Sequence, residues 1–135
     1  TAAFGVTPNV AFAIDVGFAI DTPDLNVKHF GSAKLGDGPI LYKNAHNNSV
    51  LGKIIRETAK KNKTKYQEDG SSSGGTDTAS IQLTKSGVAT ALFSIPSRYM
   101  HTPVEMVYLN DVENAIKLLT ESILALKPTQ SFLPF

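Results

Sequence analysis

The sequence has no cysteine, almost no charge imbalance and no long apolar run, and each lack removes a class of protein. Without cysteine there is neither a disulfide framework nor a thiolate metal site, which fits a cytoplasmic protein. A formal net charge of +1 sets up no overall field toward nucleic acid or an acidic surface. Charged residues, glycine or proline interrupt every apolar stretch before it reaches membrane-spanning length. Thr1-Ala2-Ala3-Phe4 lacks the basic start and continuous apolar stretch of a signal peptide. The expectation is a soluble chain without a membrane partner.

Several catalytic signatures are missing too. Ser71-Ser72-Ser73-Gly74-Gly75 is not followed by Gly-Lys-Ser/Thr at phosphate-cradling spacing. There is no Gly-x-Ser-x-Gly elbow and no His-Glu-x-x-His helix. The run Lys60-Lys61-Asn62-Lys63-Thr64-Lys65 has no interleaved aromatics and reads as a solvated helix end rather than a nucleic-acid site. His29 and His46 fall in loops, where solvation is the expected state.

What is present suffices for a core: 41% of the 135 residues are apolar, the share of a folded domain or a large piece of one. Residues 10–16, Val-Ala-Phe-Ala-Ile-Asp-Val, form a nearly continuous apolar run, suited to a strand buried on both faces of a parallel sheet. Residues 17–38 carry turn signals at Asp21-Thr22-Pro23-Asp24 and Gly36-Asp37-Gly38-Pro39 and read as loop. Short strands are expected over 39–43 and 65–69. Asn48 or Ser49 caps a helix to about residue 62, with Val50, Leu51, Ile54, Ile55 and Thr58 on one face. A second helix is expected over 76–86, closed by Gly87.

Residues 88–95 make another apolar strand that Pro96 is expected to end. Asn110 or Asp111 then caps a helix to about Lys127, whose buried stripe would be Val112, Ala115, Ile116, Leu119, Ile123 and Leu126. Strands alternating with helices at this spacing predict an α/β domain with a largely parallel sheet. So few strands for a sheet covered on two faces suggest part of a larger domain.

Ligands of open α/β sheets sit outside the carboxyl ends of the strands. Asp15 ends the first apolar strand and His101 follows the last, so two parallel strands would bring both to one edge. Asp and His suit zinc, cobalt or manganese. The alternative is plain: an acid that caps or pairs, and a histidine that packs or faces water.

Around these two residues the chain resembles the tetrahedral aminopeptidase family, which includes glutamyl and deblocking aminopeptidases with two metal ions. The resemblance is carried by Ala13-Ile14-Asp15-Val16 with Asp21-Thr22-Pro23, by Lys34-Leu35-Gly36-Asp37-Gly38-Pro39, by Gly74-Gly75-Thr76-Asp77, and by Arg98-Tyr99-Met100-His101-Thr102-Pro103-Val104-Glu105. Four motifs in order, over nearly the whole chain, are specific where any one would be weak. The resemblance implies a zinc-peptidase-like α/β sheet flanked by helices, of which residues 1–135 are the C-terminal portion, without the N-terminal half and the inserted domain. It implies a two-metal aminopeptidase (zinc or cobalt) acting on peptide substrates and assembling into a hollow homo-oligomer.

Position by position, Asp15 matches the terminal carboxylate ligand on one metal and His101 the terminal histidine on the other. Asp77 lies near the implied active site or caps the following helix. Glu105 orients His101 or faces solvent. Arg98 meets a substrate carboxylate or pairs with a nearby acid. The departure is large, because the family's other histidine, bridging aspartate, glutamate ligand and general-base glutamate all lie upstream of the region matching Thr1. These 135 residues alone are therefore expected neither to bind metal tightly nor to cleave peptides.

Two other classes stand beside this one. A glycosidase would need two carboxylates facing a sugar across about 5 to 10 Å, and Asp15 with Asp77 or Asp21 would have to serve. A non-catalytic piece would expose apolar surface that a missing half covers, and would self-associate or need a partner.

Overall fold

The structure, a computed structural model, describes residues 1–23, 26–70 and 75–134. Asp24 of the first turn signal and residues 71–74 of the Ser/Gly stretch, including Gly74 of the third motif, lie outside the described residues. In chain order the elements are α1 (Ala2–Val6), β1 (Val10–Phe18), α2 (Val27–Phe30), β2 (Ile40–Tyr42), α3 (Ser49–Asn62), β3 (Gln67–Asp69), α4 (Asp77–Ile81), β4 (Ala89–Arg98), β5 (Met106–Val107) and α5 (Leu109–Ala125). The strands form one sheet in the order β1-β4-β2-β3, with β5 also on β4.

The two apolar runs are partners. β1 and β4 pair in parallel from Val10↔Ala89 to Phe18↔Ser97, and Ala19 N–H continues the ladder to the Ser97 carbonyl at 2.9 Å. Every residue of β4 before Arg98 is buried, as a central strand with both faces covered requires. The sheet is mixed rather than largely parallel, since β2 pairs with β3 in parallel but meets β4 antiparallel, as does β5.

Pro96 does not end β4. The strand's second edge pairs with β2 at Phe93 and Ser94 and with β5 at Ser97 and Arg98, and Pro96 sits in the gap between. A missing amide donor interrupts no ladder there.

α3 follows the sequence closely. Asn48 caps it by accepting the Leu51 amide at 2.9 Å, and Leu51, Ile55, Thr58 and Ala59 are buried on its inner face. With Leu41, Ala91, Phe93 and Leu118 the apolar members of that face build the core, and Phe12 meets Phe93 edge-on at 6.0 Å. α4 is shorter than expected. Its Asp-Thr-Ala-Ser start competes with the helix for backbone hydrogen bonds, and the chain turns away through Lys85 (φ 51°) and Gly87 (φ 106°).

α5 corrects the expected cap and stripe. Its N-cap position is Tyr108, and Asp111 lies inside the first turn, fully buried. The Asp111 carboxylate accepts the amides of Gly36 at 2.7 Å and Gly38 at 2.8 Å. Those glycines have φ of 81° and 86°, a left-handed geometry that aims both N–H groups at one acceptor. Of the expected stripe, Ala115 is buried and Leu119 and Leu126 pack against the core, but Leu118 and Ser122 face inward where Ile116 and Ile123 are exposed. A polar contact outvoted the apolar periodicity.

Candidate active site

β1 and β4 run side by side, so the residues at their carboxyl ends share one edge. Asp15 lies directly opposite Ser94 in the register, and His101 follows the end of β4 by three residues. Both line one cavity of about 160 Å³. A groove of about 820 Å³ lies toward the opposite ends of these strands, but its lining includes Val10, Ala89 and Phe132 and, of ionisable side chains, Lys127 alone. A single lysine is no acid–base pair with which to do chemistry.

Asp15 is exposed, and its Oδ1 accepts the Val16 amide at 2.8 Å. His101 is also exposed and sits at φ 66°, two residues after Tyr99 at φ 59°. A non-glycine residue in this region is uncommon, and two so close define a sharply folded loop. Three hydrogen bonds hold it. Glu105 Oε1 accepts the His101 backbone amide at 2.6 Å, and the Tyr99 carbonyl accepts both the Thr102 hydroxyl at 2.6 Å and the Thr102 amide at 3.1 Å. The His101 ring stands edge-on to Phe18, 6.2 Å between centroids, and Phe18 in turn packs on Phe30 at 4.7 Å. Glu105 thus fixes the backbone from which the imidazole projects.

Arg98 is engaged with an acid. Its Nε and Nη2 donate to the two carboxylate oxygens of Asp21 at 2.9 and 2.5 Å, a bidentate fork that ties the loop after β1 to the end of β4. The hydrogen bond and charge of Arg98 hold Asp21 below the usual carboxylate range, although burial opposes this. A depressed carboxyl pKa stabilises the fold above its unfolded value of about 3.9 and loses that stability as pH falls through the folded value. The unfolding-midpoint gap between wild type and Arg98→Gln is therefore expected to be constant near neutrality and to shrink below about pH 4. A thermal-unfolding series from pH 6 to 3 measures it, and a pH-independent gap would remove the pair from the account.

Asp77 opens α4, is exposed, and does not line the cavity, whereas its neighbours Thr76 and Thr78 do. The cap position belongs to Thr76.

The sequence reading missed three lining side chains. His46 is half-buried rather than solvated, with Nδ1 3.1 Å from Gln82 Nε2. It is placed there because the 46–48 loop runs along β4: Thr90 Oγ1 donates to the His46 carbonyl at 2.6 Å, and Asn47 Oδ1 accepts the Leu92 amide at 2.8 Å. Tyr42 and Ser94 are the others. Ser94 sits in an unbroken apolar run and gave no signal beyond its type.

The donor set can be tested against a metal. A carboxylate and an imidazole at one cavity fit two terminal ligands, and among the described residues no group of three or more His, Cys, Asp or Glu could hold an ion. Catalytic zinc takes three protein ligands, more than this pair supplies.

A profile of the M42 glutamyl aminopeptidase family matches residues 1–118. The chain belongs to that family. Among curated relatives, a lysyl aminopeptidase of Pyrococcus furiosus is 39% identical over 128 residues, covering 94% of this chain and 36% of that protein. The solved structure of an aminopeptidase from the archaeon Desulfurococcus kamchatkensis superimposes with TM-score 0.83 at 38% identity, over 93% of this chain and 36% of that one. A TET1 peptidase of Pyrococcus horikoshii, described as assembling into a tetrahedron or a large octahedral shell, matches with TM-score 0.59 at 26% identity, over 83% of this chain and 32% of that one. The chain spans about a third of the length of the curated relatives it matches. The α/β fold is thus that of M42 aminopeptidases, and no helix among the described residues is long and apolar enough to cross a membrane.

Proposed function

We propose that these residues are the C-terminal portion of the catalytic domain of a cytoplasmic, two-metal aminopeptidase that removes N-terminal residues from peptides. The observation that supports it most is the placing of Asp15 and His101 at one cavity on the carboxyl edge of β1 and β4. In this reading Asp15 supplies one oxygen donor to the first ion and His101 one nitrogen donor to the second, zinc or cobalt in each case. When bound, such a pair of ions polarises the scissile carbonyl and activates water at neutral pH.

This chain's own residues do the holding. The Glu105 bond to the His101 amide and the Phe18 edge contact keep the imidazole oriented, and the Arg98–Asp21 fork keeps the two strand ends together. The remaining ligands and the general base come from outside residues 1–135. Exposed Ile14 and Val16 on β1, and Ile116 and Ile123 on α5, are surfaces for the rest of the enzyme and for neighbouring copies in a homo-oligomer like that described for the P. horikoshii relative.

The test compares the full-length protein with residues 1–135 alone. The full-length protein is expected to hydrolyse N-terminally free peptides and to lose that activity to a chelator, with recovery on adding zinc or cobalt. The 135-residue chain is expected to show no activity and no metal binding tighter than about millimolar in equilibrium dialysis, as two scattered donors cannot complete a site. Cellulose hydrolysis that survives chelation would instead favour a two-carboxylate glycosidase.

A further inference from the structure

We propose that the outer edge of β1 is completed by a strand of the same polypeptide from outside residues 1–135, and that this pairing runs through Ile14 and stops at Asp15. This rests on the aminopeptidase reading and says how the rest of that enzyme meets the candidate site.

Two bonds fix the hydrogen-bonding directions along β1. The Asn9 carbonyl accepts the Ala89 amide at 3.1 Å, and the Ala19 amide donates to the Ser97 carbonyl at 2.9 Å. Backbone polar groups of alternate strand residues point to opposite sides, so odd-numbered residues face β4. Even-numbered ones, Phe12, Ile14 and Val16 among them, aim their amides at the outer edge. Beyond β1 the chain covers that edge itself, with the Ile20 amide on the Ala33 carbonyl at 2.8 Å. Along Val10–Phe18, β4 is the only strand paired with β1 among the described residues. Of the outward amides there, only that of Val16 has a partner among the described residues, Asp15 Oδ1 at 2.8 Å.

This edge has no guard. Natural edge strands are blunted by lysine, proline, a bulge or shortness. Val10-Ala11-Phe12-Ala13-Ile14 has no charge and no proline, pairs with β4 without a bulge, and belongs to a strand of 9 residues. Ile14 is 64% exposed, on the face where Phe12 packs against the core residue Phe93. An apolar edge of this length calls for a permanent partner.

The enzyme's own chain is the occupant that also serves the site. With 36% of the P. furiosus relative covered, about two-thirds of such a protein lies outside the match. Toward β4 the surroundings of Asp15 are closed, because a Cβ on Gly17 would already lie 2.6 Å from Ser94 Oγ and 2.8 Å from the Tyr42 hydroxyl. Toward the outer edge Asp15 is exposed, and further donors have room there. Asp15 also sets where the pairing ends. Its Oδ1 holds the Val16 amide, so the added strand diverges at that point and opens a crevice beside the candidate ligand, with Oδ2 left for an ion.

The experiment is hydrogen exchange of the full-length protein, resolved to single amides by fragmentation mass spectrometry. An open edge gives alternation, with Ala11 and Ala13 slow and Phe12 and Ile14 fast. The expected result is that Phe12 and Ile14 are slowed about 1000-fold, like their neighbours, while Val16 exchanges faster than Ile14. This protection is expected to survive dissociation of any oligomer into single subunits. Alternation, or protection lost on dissociation because a second copy supplied it, would overturn the proposal. Val16 as slow as Ile14 would overturn the stop at Asp15. Ile14→Pro removes an outward amide and no bond to β4, and is expected to lower the melting temperature by at least about 5 °C. An unchanged melting temperature would count against the added strand. The same preparation is assayed for chelator-sensitive peptide hydrolysis. Hydrolysis with an alternating edge would sink this proposal alone, and absence of hydrolysis would overturn the aminopeptidase reading as well.

Discussion

Substituting alanine for His101 in the full-length protein is expected to lower kcat/KM for peptides by well over 100-fold and to release one of two bound metals. Removing a partner that merely orients a ligand costs about 10–100-fold in affinity or activity, and removing the ligand itself should cost more. Asp15→Ala is expected to behave alike, with loss of the other ion. The paired measurement is metal stoichiometry by elemental analysis alongside kinetics at saturating zinc. Glu105→Gln is the informative contrast, because its amide oxygen can still accept the His101 backbone N–H that the carboxylate accepts at 2.6 Å. It should retain most of the activity, whereas Glu105→Ala frees a loop held at φ 66° and should fall into the 10–100-fold range. Full activity and two metals in His101→Ala would remove that residue from the site.

Asp111→Ala is expected to destabilise the fold by about 3–5 kcal/mol, a loss of about 10–20 °C in melting temperature for a chain of this length. The carboxylate is fully buried and accepts two backbone amides 73 and 75 residues away. Its removal leaves both donors in a dry pocket, and each such group costs about 1–3 kcal/mol. Asp111→Asn should lie between, because its oxygen can serve one glycine amide while its NH2 opposes the other. Thermal unfolding of the three proteins reads the order directly, and equal stability of Asp111→Ala and wild type would show that solvent reaches those amides. The effect should spread to the 34–39 loop, where Lys65 Nζ and Gln67 Nε2 donate to the Gly36 and Gly38 carbonyls at 2.7 and 2.8 Å.

Local chemistry made some elements readable in advance. An apolar run long enough to fill a strand, as at 10–16 and within 89–98, was legible as a strand, but only β4 is buried on both faces. β1 lies at the edge of the sheet, with Ile14, Asp15 and Val16 exposed rather than covered as the run suggested. α3 was equally legible, with Asn48 at its cap and one apolar face. The short strand β5 and the helix α1 were not. Two residues of sheet at Met106–Val107 carry no periodicity, and they exist because the edge of β4 beyond β2 needs a partner. The buried face of α5 misled for a related reason. Periodicity weighs apolar side chains, but two glycine amides brought up from residues 36 and 38 drew Asp111 inward and turned Ile116 outward.

The candidate site divides along the same line. Residue order alone carried the family, and with it the matches at Asp15 and His101, because motif spacing is a property of the chain. The sequence reading put both residues at strand ends, but β1 runs on to Phe18, so Asp15 lies three residues inside the carboxyl end of its strand while His101 follows the end of β4. Only the tertiary structure decided that the two strands are parallel, that Arg98 is committed to Asp21, and that Asp77 stands outside the cavity its neighbours line. Only it brought Tyr42, His46 and Ser94 to the same cavity from three separate segments. The reason is geometric: a strand register aligns residues nearly eighty positions apart to within one side chain, and no local signal encodes which neighbour that register will choose.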